Sequence, residues 1–139
     1  IVINVLARSG SPFPGGPLRD LLEACGLEHG DLGIYHRHEE VDTRSPVQFS
    51  VASAVQPGAM NPDTLPGSFL PGLSFFMSLP GPSDSLKAFE FMLETAQCVV
   101  RNLQGELKDE RMSVMTGQTI EHCRQRIREF ERKRRSVKV

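Results

Sequence analysis

Val47-Gln48-Phe49-Ser50-Val51-Ala52-Ser53-Ala54-Val55 is the stretch on which the fold turns. Its large residues recur every second position, the period of a β-strand with two different faces. Phe49, Val51 and Val55 fall on one side and belong in a core. Ser50, Ala52 and Ala54 fall on the other, where a solvated strand would normally carry Thr, Lys or Glu. The pattern therefore predicts a sheet with one face packed and one face bare.

The same alternation recurs on both sides of this segment. Leu73 to Leu79 reads as a strand ended by Pro80-Gly81-Pro82, with Phe75, Met77 and Leu79 inward and Ser74, Phe76 and Ser78 outward. Ile1 to Ala7 is apolar apart from Asn4, placing Ile1, Ile3 and Val5 on one side and Val2, Asn4 and Leu6 on the other. Asp31 to His38 reads as a further strand, joined to Val47–Val55 through the polar connection Glu39 to Pro46. The proline- and glycine-rich segments 10–17 and 56–72 read as loops, with Phe69 and Leu70 able to tuck in. Glu106 to Met115 suits two short strands around Asp109-Glu110.

Three helices complete the order. Pro17 opens one whose Leu18, Leu21, Leu22 and Cys25 share a face and which Gly26 stops. Ser83 to Leu103 carries the strongest 3.6-residue stripe, capped by Ser83 or Asp84, and Thr116 caps a last helix burying Ile120, Cys123, Ile127 and Phe130. Few helices and mostly antiparallel strands predict one helical layer on one sheet, an α+β domain with the other sheet face open. On that face Val2, Ala52, Ala54 and Phe76 make a shallow apolar patch, the kind that marks interaction sites.

At 139 residues the chain has the size of one domain, and 39% hydrophobic with 24% charged residues is an ordinary globular composition. Its apolar runs are too short to cross a bilayer. A first residue already inside a strand suggests a piece of a longer protein. Cys25, Cys98 and Cys123 are odd in number and widely spaced, which favours reduced thiols. Residues 1–123 carry a formal charge of −7 and residues 124–139 one of +6, so an acidic body ends in a basic tail.

Other chemistry is thinner. His36 and His38 share a strand face and suit hydrogen bonding better than a metal site, because no third ligand is evident. No phosphate loop, nucleophile elbow or metalloprotease spacing occurs, and the adjacent carboxylates Asp109 and Glu110 point different ways along a strand. Neither catalysis nor a cofactor is expected. The basic stretch Arg124 to Lys138 offers an alternative class, a module for nucleic acid or anionic lipid, although its cations alternate with the buried stripe as on a solvated helix.

Asp31-Leu32-Gly33-Ile34-Tyr35-His36-Arg37-His38, Pro46 with Phe49-Ser50, Val55-Gln56-Pro57-Gly58, Pro71-Gly72 before Phe75-Phe76-Met77, and Met115-Thr116 together resemble the C-terminal domain of the ZipA cell-division family. The resemblance covers nearly the whole chain. It implies a six-stranded antiparallel sheet with three helices on one side, built on split β-α-β units. It also implies that the open face takes the C-terminal peptide of FtsZ, the tubulin-like GTPase of the bacterial division ring. The peptide groove maps to Val2, Leu32, Ala52, Ala54, Gln56 and Phe76. Ala54 and Gln56 depart from the Met and Lys familiar in the family, which makes the floor shallower. The likeness further implies an N-terminal membrane anchor and linker, a place on the cytoplasmic face of the inner membrane, and a monomeric isolated domain.

Overall fold

A computed structural model describes residues 1–136, so Lys138 of the basic stretch lies outside the described residues. β1 (Val2–Ala7), β4 (Tyr35–His38), β5 (Val47–Ser53) and β7 (Gly72–Phe76) form the middle of one sheet, with β3 (Glu28–His29) and β8 (Gly105–Lys108) at its edges. The order is β3-β4-β5-β7-β1-β8, and every neighbouring pair is antiparallel. β7 and β8 both flank β1, so the crossover between them through α2 (Ser85–Leu103) is a split β-α-β unit.

The inward residues of the central strands, Ile3, Val5, Phe49, Val51, Leu73 and Phe75, are all buried. Against them α2 sets Ala88, Phe89, Met92, Ala96 and Val99, and α3 (Gly117–Ser136) sets Cys123 and Ile127. Asp84 caps α2 by accepting from the Lys87 N–H at 3.0 Å. The Thr116 hydroxyl likewise accepts from the Thr119 N–H at the start of α3. α1 (Gly15–Ala24) contributes Leu18 and Leu22 and ends in paired backbone bonds, Gly26 N–H to Glu23 and Leu27 N–H to Leu22. Gly26 has φ +85°, which a glycine adopts without strain.

Several expectations are corrected. Strand 31–38 shrinks to Tyr35–His38, because Asp31–Gly33 forms a tight turn with Leu32 at φ 64° and Gly33 at φ +70°. β5 ends at Ser53, not Val55: the Ser53 N–H bonds Gly58 and the Gly58 N–H bonds Val55, which leaves Val55 51% exposed instead of in the core. β7 stops at Phe76, leaving Leu79 only partly buried. The two loops hold a small ribbon, β2 (Phe13–Pro14) paired with β6 (Phe69–Leu70). Of its pair Phe69-Leu70, Leu70 tucks in while Phe69 stays 66% exposed. α1 starts two residues before Pro17, where Gly15 donates its N–H to Ser68 at 2.8 Å and a Cβ would collide with the Leu65 carbonyl. The turn after β8 forms around Asp109, but its second arm is the single bridge Lys108–Val114.

Candidate functional site

Helices cover one face of the sheet, and the register fixes what the other presents. One row across it runs Glu28, His36, Ser50, Phe76 and Val2. The next runs Ala52, Ser74, Asn4 and Lys108, and a third sets Leu6 between Gly72 and Glu106. Phe76 is thus the one large apolar ring of these rows, flanked by the small or short side chains of Val2, Ser50, Ala52 and Ser74. It is half-buried, with Val2 on one neighbouring strand and Ser50 on the other.

Two features keep this floor smooth. Gly72 brings Leu6 and Ala54 together, since a Cβ built there would lie 2.8 Å from Leu6 Cδ2 and 3.5 Å from the Ala54 Cβ. Asn4, 4% exposed, satisfies its amide locally: Nδ2 donates to the Asp109 carbonyl at 3.1 Å and Oδ1 accepts from the Ser74 hydroxyl at 2.7 Å. The one polar residue of β1 therefore ties the 109–113 turn to the sheet without leaving a reactive group in the floor.

The rim is built from turns. The 56–72 connection sends Met60, Leu65 and Leu70 into the core, and Gly58 comes within contact of the Ala52 Cβ, 3.7 Å from a built Cβ. The neighbouring residues Ala59 and Met60 abut Gly33, with the Met60 N–H bonded to its carbonyl at 2.8 Å. His36 holds the same turn from the sheet side. Its Nε2 lies 2.8 Å from the Asp31 carbonyl, which can only accept, so Nε2 carries the proton and Nδ1 faces the Ser50 hydroxyl at 2.7 Å. Leu32 projects from this turn and is 86% exposed.

Val2, Ala52 and Phe76 thus lie on the sheet face itself. Ala54 follows just past the end of β5, still bonded through its N–H to Gly72. Gln56 stands exposed in the 55–58 turn, and Leu32 on the 31–33 turn. Sequence reading missed the supporting roles of Asn4 and Gly72, and gave His36 a hydrogen-bonding role without its partners Ser50 and Asp31. The isolated Asn in an apolar strand and the glycine at a strand start were the available signs.

Charge lies at the margins. Lys108 and Glu106 pair at 3.4 Å on the edge strand. His38 donates from Nδ1 to the Ser45 carbonyl at 3.0 Å, so both histidines serve hydrogen bonds. No group of His, Cys, Asp or Glu among the described residues is placed to hold a metal. Burial pushes the Cys25 and Cys123 thiols up, away from the thiolate form a nucleophile needs. On α3, Arg124 grips Glu90 of α2 at 2.6 Å and Glu121 at 3.2 Å, while Arg128, Arg132, Lys133 and Arg134 each meet a glutamate.

The family model described as ZipA, C-terminal FtsZ-binding domain, matches residues 1–126. The chain belongs to this family. Cell division protein ZipA of Marinobacter nauticus is 73% identical over 139 residues, which is 100% of this chain and 41% of that relative. The proteins of the same name from Stutzerimonas stutzeri and Ectopseudomonas mendocina are 44% and 45% identical over 138 residues, 99% of this chain and 50% of each relative. The chain spans half the length of these relatives or less. No helix among the described residues is long and apolar enough to cross a membrane.

Proposed function

We propose that this domain is a division adaptor that holds the C-terminal peptide of FtsZ in the shallow groove on the open sheet face, floored by Val2, Ala52, Ala54 and Phe76 and rimmed by Leu32 and Gln56. The observation that carries the reading is the register Val2–Phe76–Ser50, which sets the Phe76 ring between small side chains on the sheet face opposite the helices. A peptide with an apolar side would lie across that floor, and the ring would be its principal anchor. No step of this activity is catalytic. In the whole protein, segments beyond this domain would tether it at the inner face of the cell membrane. Many tethered copies facing a polymer would turn weak single contacts into firm attachment through effective concentration.

The family membership supports the partner, and the pairing of the α3 cations with glutamates argues against a phosphate-binding role for the tail. The test is binding of a labelled FtsZ C-terminal peptide to wild type and Phe76→Ala at low and high salt. The expected outcome is a loss of roughly 1–3 kcal/mol in the variant and little salt dependence in either protein. Affinity that collapses with added salt would mark a phosphate-type or charge-driven complex instead.

A further inference from the structure

Past Phe76 the outer face ends in a cleft of about 300 Å³, where the start of β5 passes the turn after β7. Pro46, Phe49, Met77 and Pro80 give it apolar walls, and Gln48, Ser50 and Ser78 its polar groups. Gln48 is the anomaly among them. It points to the same side as Ser50 and is only 7% exposed as a residue, yet its amide atoms are not enclosed and hydrogen-bond to nothing among the described residues. Ser50 is already engaged by His36. The part of Gln48 that stays open is therefore its amide, which keeps its donors and acceptor available to water or a ligand entering the cleft.

The residues lining the cleft include no charged side chain. An ammonium or carboxylate entering it would lose its hydration with no counter-ion to meet it, so the cleft suits a neutral polar group. A carboxamide offers one acceptor and two donors, which matches the N–H and C=O of a main-chain peptide group.

We infer that Gln48 is a main-chain clamp for the bound peptide: its Oε1 accepts an N–H, and its Nε2 donates to a C=O, of the residue adjoining the side chain seated on Phe76. The inference rests on the groove being the FtsZ peptide site. It adds a polar subsite that fixes the peptide's direction and register, two things a smooth apolar floor specifies poorly. Water entering the cleft serves the amide in the free domain and leaves when the peptide binds.

The experiment pairs calorimetric titration of the FtsZ C-terminal peptide into wild type, Gln48→Met and Phe76→Ala with melting curves of each. Methionine keeps the length and linear shape of the side chain and deletes the amide. The expected result is roughly tenfold weaker binding for Gln48→Met, with Tm unchanged because the amide makes no hydrogen bond within the described domain. In wild type the Gln48 side-chain NH₂ resonances should shift as peptide is added. Wild-type affinity in Gln48→Met with unmoved NH₂ signals, while Phe76→Ala still binds poorly, overturns the clamp and leaves the groove standing. A lowered Tm in Gln48→Met makes the amide structural and also overturns it. Equal binding by wild type and Phe76→Ala defeats the groove itself, and the clamp with it.

Discussion

Phe75 and Phe76 are neighbours in β7, yet they belong to different economies of the molecule. Phe75 faces the helices, is fully buried and stacks on Phe49 with ring centroids 6.4 Å apart. Phe76 faces away from them, half-buried between Val2 and Ser50. One strand therefore divides stability from recognition between alternate residues, a division that the period of the β-strand makes available at no cost in length. The inner face must be large and interlocked to hold the fold. The outer face must be small-sided and smooth to leave room for a guest.

The largest expected effect breaks the inner side. Phe75→Ala should cost about 3–5 kcal/mol, a large part of the stability of a domain of this size, read as a collapse in denaturant midpoint. Gly72→Ala comes next, because the added Cβ would meet both Leu6 Cδ2 and the Val5 carbonyl at 2.8 Å. About 1–3 kcal/mol should be lost, since backbone gives way less easily than a side chain. Phe76→Ala should cost only about 1 kcal/mol of stability while weakening the peptide complex, so equal destabilisation by the two phenylalanine variants would erase the distinction drawn here.

The smallest effect concerns the exposed ion pairs on the outer side of α3. Hydrogen bonds from Arg124 and Arg128 hold the Glu121 carboxyl below its ordinary range, and Arg132 does the same for Glu129. A carboxyl lowered in the folded state lends stability that is present above its unfolded pKa and is lost as pH falls through the folded value. Melting temperature should therefore decline modestly as pH drops through and below the ordinary carboxylate range, and less so in high salt, which already screens these exposed pairs. Peptide binding should not follow the same curve, because the groove residues Val2, Leu32, Ala52, Ala54, Gln56 and Phe76 include no carboxylate.

What the sequence made legible was whatever repeats. The alternation through Phe49 and Val51, and again at Phe75 and Phe76, marks both faces of the sheet, and the stripe from Phe89 to Val99 marks the main helix. Legibility failed where local chemistry overrode a continuing pattern. Val55 keeps the core period, yet the Gln56-Pro57-Gly58 turn ends the strand before it. Leu32 sits in an apparently strand-like run, yet the glycines around it and the His36 bond to Asp31 fold it into a turn. The β2–β6 ribbon has two residues on each side, too few to show any period. Gln48 looked like any polar residue on an outward strand face. It lines a cleft whose walls come from the 46–50 and 76–81 segments together, a tertiary event that no local window contains.

Whether the bare side of the sheet is the docking face is tested most directly by NMR titration of the isotope-labelled domain with the FtsZ C-terminal peptide. Val2, Ala52 and Phe76 should shift together, with Leu32 and Gln56 following at the rim and α3 silent. Shifts gathered on Arg128 to Arg135, with the sheet face unmoved, would contradict it.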